Sequence, residues 1–178
     1  MLDSKQIVAY AVSLQDAHRH ELGFLPKTTF ERYLKQHQLR VQYLNDEPCG
    51  FLTHGPPRTN DRVKIYQTCI QTDARRIKEA TELVHRLIAD CRRVQAASLV
   101  CRCAADLDAT AFWAALGFRP VALELPASRT GRELIRYELR LSPSLFDALA
   151  AAESAIDLSR RTAPAINFVP RWPTPRKT

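Results

Sequence analysis

The chain has 178 residues, 46% apolar and 25% charged, with a net charge of +7. That is enough for one domain with a real core, too balanced for a disordered or fibrous chain, and biased toward anionic partners. No apolar run approaches the ~18 residues of a membrane span, and the opening Met1-Leu2-Asp3-Ser4-Lys5-Gln6 lacks the basic-then-apolar order of a secretory signal, so a cytoplasmic protein without membrane contact is expected.

The first predicted element is a helix capped by Ser4, with Ile7, Val8, Ala11, Leu14 and Ala17 at helical spacing, ending near His20 or Glu21. A second helix starts at Thr28 or Thr29 with Phe30, Tyr33 and Leu34 on its apolar stripe. Residues 39–44 alternate apolar and polar as a half-buried strand does, Asn45 to Pro48 supply a turn, and 49–54 return as a hairpin. A third strand over 63–70 has Val63, Ile65, Gln67 and Cys69 on one face and Tyr66, Thr68 and Ile70 on the other, so it belongs at the centre of a sheet.

Residues 73–93 carry a long helical stripe, Ile77, Ala80, Leu83, Val84, Leu87, Ile88 and Cys91, with Asp73 as its cap. A strand over 97–103, a short helix over 107–116 closed by Gly117, and strands over 118–125 and 134–141 complete the order. The strand–helix–strand crossover at 63–103 must be parallel, which predicts an α/β fold with a mixed sheet flanked by helices and a crevice where the central strands diverge. Residues 1–142 form the domain in this reading, 143–159 a peripheral helix, and 160–178 a basic, proline-rich tail in which Arg160, Arg161, Arg171, Arg176 and Lys177 are interleaved with prolines. The five cysteines, at 49, 69, 91, 101 and 103, have no CxxC spacing. They read as buried thiols, and no metal site is expected.

The third strand runs straight into a helix start whose first amides lack intrahelical partners. With Arg75, Arg76 and Lys78 beside it, that end suits a pyrophosphate as well as it suits a solvated basic face. Ile70-Gln71-Thr72-Asp73-Ala74-Arg75-Arg76-Ile77-Lys78-Glu79-Ala80, followed by Ala111-Phe112-Trp113-Ala114-Ala115-Leu116-Gly117-Phe118, resembles the acetyl-CoA loop and the closing helix–strand motif of the GNAT superfamily of N-acetyltransferases. The resemblance spans roughly residues 4–142. It implies a single GNAT-like domain using acetyl-CoA as cosubstrate. Main-chain groups of Thr68, Cys69 and Ile70 would meet the pantetheine arm, and the amides of Arg75, Arg76, Ile77, Lys78, Glu79 and Ala80 the pyrophosphate. Arg75 and Ala80 match the family's loop pattern, whereas Lys78 stands where its first glycine is expected and Trp113 where a tyrosine acid often sits.

Direct transfer needs a base on the acceptor amine. Glu21 and His20 at the end of the first helix and His54 at the end of the hairpin are candidates, and Tyr66 is a candidate to orient substrate. Gln67, an amide in a buried strand, needs partners that hydrogen bonding across the cleft would supply. The function expected is acetyl transfer to a primary amine. The alternatives are a nucleic-acid-directed base modifier or binder on the same fold, contacting phosphates through Arg40, Arg58, Arg62, Arg129, Arg132 and the tail, and a degenerate CoA-binding member. A homodimer is compatible with either.

Overall fold

A computed structural model of the protein describes residues 2–76, 78–125 and 131–141. The proposed C-terminal helix and tail, Ile77 and Arg129 lie outside them. Helix α1 (Ser4–Ala17) is capped by Asp3 rather than Ser4. The Asp3 carboxylate accepts from the Gln6 amide while the Gln6 side chain accepts from the Asp3 amide, which satisfies two otherwise orphaned donors. Helix α2 (Lys27–Lys35) follows Pro26. Strands β1 (Leu39–Leu44) and β2 (Glu47–His54) are joined by Asn45 and Asp46, both at positive φ (50° and 66°), as a two-residue type I′ hairpin requires.

Strand β3 (Arg62–Ile70), helix α3 (Glu79–Arg93), strand β4 (Ser98–Ala104), helix α4 (Ala109–Ala115), and strands β5 (Arg119–Glu124) and β6 (Leu134–Arg140) follow. The six-stranded sheet has the order β1-β2-β3-β4-β6-β5, antiparallel except for the β3–β4 pair. The expected mixed α/β sheet with one parallel crossover is therefore the observed fold. Gly117 ends α4 at φ 84°, the left-handed conformation expected of it.

Each face of the sheet has its own core. Phe30 and Tyr33 of α2, Val8, Ala11 and Leu14 of α1, and Phe51 and Cys69 of the sheet form one cluster. Leu83, Val84, Leu87 and Ile88 of α3, Trp113 of α4, and Val63, Ile65, Leu99, Cys101 and Phe118 form the other.

Two sequence expectations fail, one at the strand that separates these cores and one at the start of the long helix. The register slips between Thr53 and His54, which pair with Gln67 and Ile65 and leave Tyr66 as the extra residue of a bulge. Tyr66 stacks on Tyr33 of α2 and Gln67 bonds to Gln15 of α1, so two successive side chains share a face. Val63 and Ile65 consequently face α3, whereas Gln67 and Cys69 face α1 and α2. An extra residue reverses a period of two. The long helix also begins later than its periodicity suggests. Thr72–Ala74 forms one 3₁₀ turn, Arg76 and Lys78 adopt positive φ (66° and 74°), and α3 starts only at Glu79, with Lys78 rather than Asp73 at its N-cap.

Candidate active site

The parallel pairing of β3 and β4 comprises Arg62↔Ser98, Val63↔Leu99 and Lys64↔Val100, and then stops. Beyond Lys64 the two strands run on without pairing, and a wedge opens between them. The bulge decides which main-chain groups face it. The Lys64 carbonyl accepts from Gly55 and the Gln71 amide donates to Cys49, so both point toward β2. Main-chain groups alternate edges along a strand. Counting back from Gln71, Cys69 and Gln67 therefore also face β2, and Thr68 and Ile70 face the wedge. Of the three residues expected to offer main-chain groups there, Thr68 and Ile70 face the wedge, the Ile70 carbonyl being taken by Arg75 Nε at 3.2 Å. Cys69 does not, and its thiol is buried among α1 and α2, where desolvation pushes it up to about 12.

The wedge leads to the start of α3. Lys78 makes no side-chain cap there, and the Glu82 amide donates to the Lys78 carbonyl at 2.9 Å. The first amides of a helix, here those of Glu79 and Ala80, have no acceptor within it. Arg75, Arg76 and Lys78 are exposed around them. The Glu79 carboxylate is drawn away by the Gln42 side-chain amide, whose oxygen in turn accepts from Arg86. This leaves a positive helix end suited to a pyrophosphate.

At the open end of the wedge, the segment that follows α1 is held from two sides. Arg75 Nε donates to the Ile70 carbonyl at 3.2 Å, and its Nη2 lies 3.1 Å from both Glu21 Oε2 and His18 Nδ1. His18 Nδ1 is 3.6 Å from the same carboxylate oxygen, and His20 Nε2 is 3.5 Å from Glu21 Oε1. From the other side Arg132, just ahead of β6, donates to the His20 carbonyl and holds Asp106 at 2.6 Å. The Arg132 guanidinium keeps the Asp106 carboxyl below the usual carboxylate range. Farther along, Gln15, fully buried, accepts from the Leu25 amide at 2.8 Å, donates to the Leu25 carbonyl at 3.1 Å, and accepts from Gln67 Nε2 at 2.9 Å. Gln67 Nε2 finds its acceptors, Gln15 and the Gly23 carbonyl, in this clamp on the α1–α2 segment, whereas its Oε1 is buried without a partner among the described residues. An open cleft of about 400 Å³ lies between α1 and the 72–74 turn, with His18 and Asp73 among its lining residues.

Glu21 and His20 lie on the segment that follows α1, Glu21 in contact with Arg75. His18 and Asp106 were missed, the first signalled only by its three-residue spacing from Glu21. His54 is elsewhere. It is buried, its Nδ1 lies 2.7 Å from the Gly55 carbonyl, and its Nε2 accepts from Arg40 Nε at 3.1 Å. Both ring nitrogens are engaged, so it has no lone pair for a substrate proton. Tyr66 lies flat on Tyr33, with centroids 5.3 Å apart, and Lys64 covers it; packing uses its ring. Trp113 is buried, edge-on to Phe118 at 5.1 Å. Among the described residues, no group of His, Cys, Asp and Glu is arranged to hold a metal.

Residues 8–141 match the family model described as acetyltransferase (GNAT) domain. No curated protein matches the chain. Among solved structures, Ard1 from Thermoplasma volcanium superimposes with a TM-score of 0.69 at 13% identity, over 79% of this chain and 95% of that one. The ribosomal-protein-alanine N-acetyltransferase from Brucella melitensis gives 0.63 at 16% identity, over 79% and 97%. An aminoglycoside 6'-N-acetyltransferase solved with coenzyme A gives 0.63 at 13%, over 77% and 92%. At such identities the likeness is one of fold.

Proposed function

The chain belongs to the GNAT acetyltransferase family, and from that premise we propose that it moves an acetyl group from acetyl-CoA to a primary amine by direct attack in a ternary complex. The observation that carries this reading is the wedge itself. The main chain of Thr68 and Ile70 lies on an unpaired strand edge that runs into the open amides at the start of α3. The strand edge suits the amide-bearing pantetheine arm, while the α3 amides with Arg75, Arg76 and Lys78 suit the phosphates.

In this mechanism the amine nitrogen forms a bond to the thioester carbon and the carbon–sulfur bond breaks. Glu21, with His18 beside it, takes the proton that the amine loses. A main-chain amide on the open strand edge polarises the carbonyl as negative charge develops on its oxygen. Trp113 supplies no proton to the departing thiolate, because indole is no acid near neutral pH and its ring is packed in the core; water at the wedge mouth supplies it.

The buried Trp113, in place of the family's tyrosine acid, also favours a second reading, in which the chain binds the cofactor without turning it over. Of the arginines named for a nucleic-acid reading, Arg40 is bound to Asp90 and Arg132 to Asp106, each at 2.6 Å. Calorimetric titration with acetyl-CoA tests the proposal beside an Ala80→Glu variant, whose carboxylate would stand at the open amides. Binding by the wild type that Ala80→Glu weakens at least tenfold is expected, followed by acetylation in a screen of amines. Binding without any turnover would favour the second reading, and no binding would sink both.

A further inference from the structure

We propose that Arg75 exchanges partners: it restrains Glu21 in the free protein and gives it up to an anionic ligand at the start of α3, so that the base is released only when the cofactor is in place. The proposal rests on the acetyl-CoA reading above.

Arg75 stands at both halves of the site. Its main chain lies between the 3₁₀ turn and the start of α3, and its side chain reaches back to Ile70, His18 and Glu21. Exposure marks the Arg75–Glu21 contact as exchangeable. Arg75 stands 3.1 Å from Glu21, with the two side chains 39% and 30% exposed. An exposed ion pair contributes little. A pyrophosphate a few residues along the chain carries more negative charge and allows shorter, bidentate contacts.

While Arg75 stays, its positive charge lies against Glu21 Oε2 and the His18 Nδ1 lone pair, which keeps that oxygen and that nitrogen from acting together on a substrate proton and disfavours protonation of the carboxylate. Once it leaves, His18 Nδ1 and Glu21 Oε2, 3.6 Å apart, form a carboxylate–imidazole pair that can accept that proton. The loop stays in position throughout, because Arg132 still grips the His20 carbonyl and Gln15 still grips Leu25. Arg75 is thus a positioning residue that makes the acceptor side of the site conditional on the cofactor side.

If Glu21 and the cofactor compete for Arg75, removing the Glu21 charge must tighten the cofactor, and only while Arg75 is present. The test is a double-mutant cycle on coenzyme A affinity by calorimetry, with wild type, Glu21→Gln, Arg75→Gln and the double variant, each checked for an unchanged melting curve. Glu21→Gln is expected to bind coenzyme A about two- to fivefold more tightly than wild type, the range set by an exposed pair. Arg75→Gln should bind more weakly, and adding Glu21→Gln to it should change nothing. Glu124→Gln, which removes a carboxylate paired with Arg102 and Arg136 outside the wedge, should leave affinity at the wild-type value. Equal tightening by Glu21→Gln with and without Arg75 would mean simple long-range repulsion and would overturn the exchange while leaving the acetyl-CoA reading intact. Failure of the wild type to bind coenzyme A at all would overturn both.

Discussion

At the scale of single residues, His54 illustrates how a side chain of the right chemistry can be in the wrong place. A histidine at a hairpin end suits a base. Its surroundings are set by Arg40 on β1 and Asp90 on α3, too far away in sequence to be read locally, and they bury it with both nitrogens bonded. Desolvation first, then the Arg40 charge, holds its pKa below the usual histidine value. The consequence for stability has a definite sign. Unfolding returns the imidazole to about 6.5, so below that pH the unfolded chain binds a proton that the folded chain refuses, and stability falls with falling pH until the depressed folded value is reached. Urea unfolding between pH 7.5 and 5 should show this loss in the wild type and a shallower slope in His54→Gln, which keeps a polar side chain beside Arg40. Coenzyme A binding should be the same in both. A slope unchanged by the substitution would mean that the ring titrates normally. Glu21 and His20 were legible because helix ends near a cleft often carry polar residues, whereas their partner Arg75, 54 residues beyond Glu21, becomes visible only in the folded chain.

At the scale of elements, nearly every strand and helix was readable from its own periodicity, and the two departures both arise from backbone that periodicity does not encode. The β3 bulge is fixed by pairing with β2, and a strand's own residues do not reveal where its neighbour slips. The start of α3 was masked because the apolar stripe continues backward through the loop while the glycine that would have marked the break is absent. Lys78 occupies that position at φ 74°, a conformation costing an L-residue with a Cβ ~1–2 kcal/mol. Glycine would remove that cost but return about 0.4–1 kcal/mol through greater freedom of the unfolded chain. Lys78→Gly is therefore expected to stabilise the protein by roughly 0.5 kcal/mol, read as a slightly higher melting temperature. A lower melting temperature would show that the lysine side chain, and not its backbone, holds the loop.

At the scale of the molecule, the sheet is a wall with a core on each side. The segment after α1, the proposed acceptor rim, hangs on one core, through α1 and α2, and the loop before α3, the proposed cofactor site, on the other. A site assembled from both faces keeps its geometry only if the two cores form and melt together. Phe51, fully buried edge-on to Phe30 at 5.6 Å, anchors the first, and Trp113 anchors the second. Phe51→Ala and Trp113→Ala should each cost about 3–5 kcal/mol. The sharper expectation concerns the form of the transition. Strand β3 contributes Val63 and Ile65 to one core and Cys69 to the other, so losing either core strips one face of the strand that carries the wedge. Far-UV and near-UV circular dichroism should then melt at one common temperature in the wild type and in both variants, as a two-state unit does. If Phe51→Ala instead produced an early near-UV loss with the far-UV signal retained, the α1–α2 layer would be an independent unit, and Arg75 and Arg132 alone would be holding the acceptor rim over the wedge.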